Sequence, residues 1–329
     1  MSNFSYQKIL IVRLSSLGDV LLTTPLIRSL KKDNSKTEIH FLVREEYKDA
    51  LVNNKNISKL IIFNRTDSAA KIKSELSQSK YELIIDLQNN FRSRNLIFGL
   101  NCPVVRFKKL SLQKFLLVNL KLNLLKNSPQ IPERYAATLN NLKLDDEGLE
   151  LISDRKASLS LTINQKLIGF CPGSRHFTKM WPKEYYVELG RKLIADGFGI
   201  VLFGGKSDKQ ICAEISSSLN GCLNLCNEND LLQTAADMKM CKAVVCNDSG
   251  LMHTASAVQV PLAAIFGSTV KEFGFVPYKC KNLILENKSL TCRPCSHIGR
   301  SSCPKKHFKC MKELTPQLVY NSLISFLNK

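Results

Sequence analysis

One carboxylate and two cations mark the places where this chain could do chemistry. Asp19 stands in "IVRLSSLGDVLLTTP" (residues 11–25), which reads as a strand, a glycine turn and a helix. That layout usually holds phosphate at the helix N-terminus, but here an acid takes the anion's place. Arg175 and Lys179 stand in "GFCPGSRHFTKMWP" (residues 169–182), beside Gly173 and Ser174 at a strand end. Two cations at a glycine turn suit a diphosphate without a metal; the plainer alternative is a solvated basic loop. A third stretch, "VVCNDSGLMHTASA" (residues 244–257), is again strand, turn and helix. Asn247 or Asp248 caps that helix, and the N–H groups of Ser249, Gly250 and Leu251 point outward, a start able to hold an anion. Asp248 could equally be only a cap, and His253, one turn in, a packed core histidine.

These readings fit together if the second half binds an activated sugar through its diphosphate. Arg175, Lys179 and the helix start would then stabilise the departing charge. No Asp-x-Asp element is present to hold a divalent ion. The first half must supply a base for the attacking hydroxyl, and Asp19 is suited to that task. A nucleotide diphosphate leaves as an anion, so one carboxylate suffices where glycoside hydrolases need two. As a simple helix cap, Asp19 would have no such role.

The elements that must position these residues alternate almost throughout. "KILIVRL", "TEIHFLV", "KLIIF" and "YELIIDL" are short β-branched runs separated by helical stretches, among them "DVLLTTPLIRSLKK" and "SAAKIKSELSQSK". The pattern restarts with "KLIGFCPG", a helix over residues 183–195, "GIVLFGG", "KAVVCND" and "LAAIFGS". Strands apolar on both faces with helices between them predict parallel sheets covered on both sides. Residues 145–165, polar and then Ser-rich, read as a linker. The expectation is two doubly wound α/β domains, residues 1–150 and 151–329, with ligands at the carboxyl ends of the strands.

The chain has 329 residues and a net charge of +19, with 24 Lys/Arg against 15 Asp/Glu in residues 1–150 and 23 against 13 in the rest. Both halves are basic, so anionic partners are expected. Residues 88–127 carry eight cations and no acid, including Arg92, Arg94, Lys108 and Lys109. Within them "LSLQKFLLVNLKLNLL" reads either as core or as a face for a membrane or an amphipathic acceptor. No nucleic-acid module accompanies the charge. The N-terminus is no signal peptide, because Lys8, Arg13 and Asp19 interrupt any apolar run, and no window is long enough to span a membrane. A cytoplasmic location follows, where the twelve cysteines should be thiols or metal ligands. Cys292, Cys295, Cys303 and Cys310, spaced C-x2-C-x7-C-x6-C, should lie together in a loop-rich segment and could hold zinc, although the second pair is too widely spaced for an ordinary ribbon.

"KILIVRLSSLGDVLLTTPLIRSLK", "PGSRHFTKMWP" and "NDSGLMHTASA…P…AIFGST" resemble, in order and spacing, the glycosyltransferase family 9 enzymes, the ADP-heptose–lipopolysaccharide heptosyltransferases. The resemblance implies a GT-B fold, two Rossmann-like domains facing a central cleft, the first for the acceptor and the second for the nucleotide sugar. It implies inverting transfer of heptose from ADP-heptose to the lipopolysaccharide inner core, with neither metal nor other cofactor. Asp19 would be the general base. Gly173, Ser174, Arg175, Lys179, Asp248, Ser249, Gly250, Leu251 and His253 would hold the donor. Arg92, Arg94, Lys108 and Lys109 would meet a lipid A–core acceptor at the cytoplasmic face of the inner membrane. One departure is Gly205–Lys206–Ser207–Asp208, where some members place a glutamate that helps hold the donor, which leaves the exact sugar open. A non-catalytic sugar-nucleotide or lipid-saccharide binder, or a member using another donor, is the alternative. A nicotinamide oxidoreductase is disfavoured, because no G-x-G-x-x-G follows the first strand.

Overall fold

A computed structural model describes residues 5–139, 142–158, 166–228 and 230–329. The chain divides into two compact units: Met1–Lys109 with Ile131–Ile152, and Leu110–Gln130 with Ser153–Lys329. Among the described residues no helix is long and apolar enough to cross a membrane.

The first unit is built on five parallel strands: β1 (Lys8–Val12), β2 (Glu38–Arg44), β3 (Lys59–Phe63), β4 (Leu83–Asp86) and β5 (Val104–Arg106). Their order is β3-β2-β1-β4-β5. Ile9, Leu10, Ile11 and Val12 have no solvent exposure, as a central strand with both faces covered requires. The stretch expected as one helix over residues 19–32 is two: α1 (Leu17–Leu21) and α2 (Thr24–Asp33). Pro25 explains the break, since it has no N–H to donate back to α1 but fits the first turn of α2. Helices α3 (Ala69–Gln78), capped by the Ser68 side chain, and α4 (Phe91–Ile97) follow β3 and β4. They bury Ile72, Leu76, Leu96 and Ile97 against Leu10, Val12 and Ile84.

After Lys109 the chain leaves this unit. The excursion forms α5 (Ser111–Phe115) and a widened turn over Leu116–Leu120, then re-enters the first unit as α6 (Ile131–Ala136). The polar stretch expected to begin a linker at residue 145 is held instead. Arg28, 7 % exposed, binds both carboxylate oxygens of Asp145 at 2.6 and 2.8 Å and the Gly148 carbonyl at 2.8 Å. Glu150 N–H donates to Thr24 Oγ1, and Asn53 donates to the Ile152 carbonyl. The last seven positions of the expected linker lie outside the described residues.

The second unit has six parallel strands: β6 (Lys166–Cys171), β7 (Phe198–Leu202), β8 (Leu223–Asn224), β9 (Ala243–Asn247), β10 (Leu262–Phe266) and β11 (Asn282–Glu286). Their order, β8-β7-β6-β9-β10-β11, is the doubly wound arrangement of dinucleotide-binding folds. Helices α7 (Lys183–Ala195), α8 (Lys209–Ser217), α9 (Leu231–Met238), α10 (Gly250–Ala257), α11 (Lys309–Lys312) and α12 (Pro316–Leu327) accompany them. Trp181, wholly buried, centres the core with Phe170, Tyr186, Leu189 and Leu323, and its indole N–H reaches the Leu314 carbonyl at 2.8 Å. Pro182 sits at the cap immediately before α7 rather than inside it.

Arg28 also pairs with Glu147 and Glu150. Asp145 is held well below the usual carboxylate range, chiefly by its hydrogen bonds from Arg28. A depressed folded-state value means that this stabilisation is complete above the unfolded carboxylate value of about 4 and is lost as pH falls below it. Arg28→Ala should cost about 3 kcal/mol at neutral pH. It should also flatten the acid limb of the stability profile below about pH 4. Denaturant titrations across pH check this; a variant losing stability with acid as steeply as wild type would contradict it.

Candidate active site

In a parallel sheet wound in both directions, loops diverge where the strand order reverses, and the crevice left there admits a ligand. In the first unit the reversal lies between β1 and β4. The loop after β1 carries Arg13, Leu14, Ser15 and Ser16 into α1, whose third residue is Asp19. One Asp19 oxygen accepts from Ser16 N–H at 3.1 Å and Ser16 O–H at 2.7 Å, the geometry of a capping box. The other lies 2.6 Å from the Arg13 guanidinium. Asp19 therefore supports the start of α1 from its third position, with Ser16 at the cap, yet 17 % of its side chain remains open to solvent. Burial opposes its ionisation, but the Arg13 charge and the Ser16 hydrogen bonds outweigh it and hold the carboxyl below its ordinary range.

Arg13 is nearly buried; it donates to the Leu87 carbonyl at 2.7 Å and stands 5.8 Å over the Tyr135 ring. Gln88 Oε1 accepts from Leu14 N–H at 2.9 Å and Ser15 N–H at 3.2 Å, so the loops after β1 and β4 are tied by both strands' residues. Asp86, at the end of β4, accepts from Asn89 N–H and the Ser93 hydroxyl and so shapes the start of α4. Arg94 caps this turn through Asn89 Oδ1 at 3.0 Å, and Arg92, two residues earlier, is exposed. Lys108 is exposed, its carbonyl held by Arg134. Lys109 is half-buried; burial and then Arg13 hold its ammonium below the ordinary value, against the attraction of Asp86 and Asp19. Lys109 thus lies in the field of Asp19, while Arg92, Arg94 and Lys108 are exposed.

In the second unit the reversal lies between β6 and β9. The Asn247 amide, unexposed, donates to the Pro172 carbonyl at 2.7 Å and accepts from Trp181 N–H at 3.0 Å. This pins the loop after β6 to the end of β9. Lys179 Nζ then lies 2.7 Å from Asp248 Oδ2, and the Thr269 hydroxyl donates to the same oxygen at 2.6 Å. Neither Asn247 nor Asp248 caps α10; the capping position is Ser249, and both side chains expected there are committed to the neighbouring loops. Ser249 Oγ is buried without a hydrogen-bond partner at the start of this eight-residue helix, next to Gly250 and Leu251. His253 is 4 % exposed and edge-on to Phe275 at 6.5 Å, which places it in the packed position. A Cβ at Gly173 would come 2.2 Å from Asp208 Oδ1, so the Asp208 carboxylate packs where a larger residue would displace it. Ser174 is half-buried beside it and Arg175 exposed.

Arg293 and Arg300, outside the phosphate-loop motifs, brace this site. Thr178 N–H donates to the Arg300 carbonyl at 3.1 Å, Arg300 N–H returns to Thr178 Oγ1 at 2.8 Å, and Ser268 N–H reaches the Thr178 carbonyl. Arg293 binds the carbonyls of Phe266, Gly267, Thr269 and Asn287 and the Glu286 carboxylate. The Cys-rich segment therefore braces the loop that carries Thr269. Its order comes from Arg293 and from Lys121, whose ammonium reaches the Pro294 carbonyl at 2.7 Å and that of Cys292 at 3.2 Å. Cys292 Sγ meets His307 Nε2 at 3.9 Å, but among the described residues no three His, Cys, Asp or Glu side chains converge on a metal position. Burial pushes the Cys310 thiol up to about 12, so the surrounding cations do not make it a thiolate. Among the described residues these four cysteines assemble no zinc site.

Two doubly wound parallel units in one chain define a GT-B protein. The fold matches a glycosyl transferase family 9 structure from Veillonella parvula (TM-score 0.80, 21 % identity, 100 % of this chain and 99 % of that one). It also matches E. coli ADP-heptose lps heptosyltransferase II (TM-score 0.74, 24 % identity, 98 % of each chain). The profile of glycosyltransferase family 9 (heptosyltransferase) matches residues 69–306, and the chain belongs to this family of glycosyltransferases. It is 32 % identical to lipooligosaccharide heptosyltransferase 2 of Haemophilus ducreyi, over 80 % of this chain and 84 % of that protein. It is 27 % identical to lipopolysaccharide heptosyltransferase 2 of Salmonella typhimurium, over 98 % of this chain and 99 % of that protein.

Arg293→Ala would leave the Glu286 carboxylate, 7 % exposed, with only Lys288 at 4.0 Å and should cost about 3 kcal/mol. Arg300→Ala, which loses one exposed side-chain hydrogen bond to Cys295, should cost under about 1 kcal/mol. Urea unfolding followed through Trp181, the single tryptophan, separates the two; equal losses would contradict the bracing role.

Proposed function

We propose that this glycosyltransferase transfers a heptose from ADP-heptose to the inner core of lipopolysaccharide, with inversion, without a metal, and with Asp19 as general base. The observation that carries the donor side is the Lys179–Asp248 contact at the start of α10, beside the unpartnered Ser249 hydroxyl. An arriving diphosphate would draw Lys179 from Asp248, meet the Ser249 hydroxyl and the Gly250 and Leu251 N–H groups, and collect Arg175 from solvent. Gly173 and Ser174 would border it, and His253 would support the helix from within. The identity of the sugar rests on the relatives, whose names specify heptosyl transfer.

In the proposed step the acceptor oxygen bonds to the anomeric carbon as the bond to the diphosphate breaks. The hydroxyl proton passes to the Asp19 carboxylate, and ADP leaves as an anion. Lys179, Arg175 and the α10 N-terminus neutralise that charge as it develops, which leaves no task for a divalent ion. Arg13 and Ser16 aim Asp19 and keep it ionised at neutral pH; the exposed part of its carboxylate faces the incoming hydroxyl. Arg92, Arg94, Lys108 and Lys109 would bind phosphates and acidic sugars of the lipid A core. The enzyme would work at the cytoplasmic face of the inner membrane, with no nucleic-acid partner.

Asp19→Asn should reduce turnover on the order of 10²–10⁴-fold while ADP binding is retained. Because Asp19 is held low, the wild-type acid limb should fall below about pH 4. Mass-spectrometric assay with ADP-heptose and truncated lipopolysaccharides reads both, and turnover within a few-fold of wild type would remove Asp19 from the mechanism.

Lys179→Ala should weaken ADP binding roughly tenfold to a hundredfold, the loss of one charge-assisted contact, and EDTA should leave wild-type turnover unchanged. Calorimetric titration with ADP and the same assay test this. Activity abolished by EDTA and restored by magnesium would overturn the metal-free site.

A further inference from the structure

The excursion Leu110–Gln130 is firmly mounted and faces the wrong way for a core segment. Leu117 and Leu125, 5 % and 1 % exposed, pack with Phe273, and Leu110, Val118, Val270 and Phe275 close around them. The Lys114 ammonium stands 5.8 Å from the centre of the Phe275 ring. Lys121 spends its donors on the carbonyls of Val118, Cys292 and Pro294. Against this anchored base, Leu112, Phe115, Leu120, Leu122 and Leu124 point outward, exposed by 66, 58, 65, 51 and 58 %. Single exposed apolar residues are ordinary, but five within thirteen positions on one held segment form a patch that pays a hydration cost unless something covers it.

We infer that this patch docks the enzyme on an anionic lipid surface. Charge complementarity selects the occupant. No acid occurs in residues 88–127, Lys126 borders the apolar side chains, and Lys305 lies within electrostatic reach of Lys121. A second copy of a chain carrying +19 is repelled by the net charge of the first, whereas a bilayer with anionic headgroups offers both the charge and the apolar depth. Leucines and a phenylalanine would enter the headgroup boundary while the lysines stay at its surface. The docking surface deepens the proposed function and rests on it for the source of the membrane, since that reading has a lipid-anchored acceptor. It separates membrane attachment from Arg92, Arg94, Lys108 and Lys109, whose proposed task is the acceptor's polar groups.

The test is co-sedimentation of the full chain with phosphatidylglycerol-containing vesicles and with pure phosphatidylcholine vesicles. Wild type should partition at least about tenfold more strongly onto the anionic vesicles. A combined variant, Leu112→Ser, Phe115→Ser, Leu120→Ser and Leu124→Ser, should lose at least about tenfold of that binding. These side chains are exposed, so Trp181 fluorescence and unfolding should be unchanged. The variant should transfer normally to a deacylated, water-soluble acceptor and poorly to the same acceptor embedded in vesicles. Wild type that ignores both vesicle types, or a variant that binds as well as wild type, would overturn the inference. So would a wild-type dimer that the variant dissociates, which would make a second copy the occupant. Failure of wild type to transfer to the soluble acceptor, with vesicle binding intact, would count against the proposed reaction and not against the docking surface.

Discussion

The side-chain amide of Asn247 holds two strand ends in one place. It has no contact with solvent, and both its carbonyl and its N–H are used, on Trp181 N–H and the Pro172 carbonyl. Leaving either buried group unpaired costs about 1–3 kcal/mol, so the loop after β6 has one low-energy path past the end of β9. That path brings Lys179 to Asp248, frees Ser249 to begin α10, and lets Asp208 close against Gly173. The same loop is locked from the far side by Thr178 and Arg300, and Arg293 secures the strand end that presents Thr269 to Asp248. This end of the second sheet is thus a chain of buried polar contacts, each satisfied by the next.

The first unit solves the same problem with different chemistry. Gln88 and Arg13 tie the loops after β1 and β4 as Asn247 ties those after β6 and β9. At its reversal point an acid stands on a helix start with a cation beneath it; in the second unit a cation reaches an acid beside a helix start. The topology repeats while the charge pattern inverts.

The large positive charge divides into two populations. Arg13, Arg28 and Arg293 are nearly buried and act as staples, each holding a carboxylate and at least one carbonyl through the fork of its guanidinium. Arg92, Lys108 and Lys126 are exposed and remain available to ligands or lipid. Net charge read from composition counts both alike, although only the second population can recruit an anionic partner.

Much was legible in the sequence alone. Parallel strands buried on both faces need continuous β-branched runs, so β1 to β4, β6, β7, β9 and β10 stood out. Their carboxyl ends, with the glycine turns there, drew attention to Asp19, Lys179 and Asp248, which the structure places at the reversal points of the two sheets. Short or half-exposed edge strands carry no such run, and β5, β8 and β11 passed unread. The tertiary structure alone decided that Ser249 takes the capping position of α10 with its hydroxyl unpartnered, because the side chains of Asn247 and Asp248 bond to neighbouring loops. It also placed Leu110–Gln130 with the second unit, drew Asp145 onto Arg28, and ordered the Cys-rich segment through Arg293 rather than a metal. Each of these depends on a partner between about 25 and 170 residues away, or on which face of a helix is left uncovered. Local pattern records what a residue prefers nearby; it cannot record which distant group will satisfy a buried charge or amide.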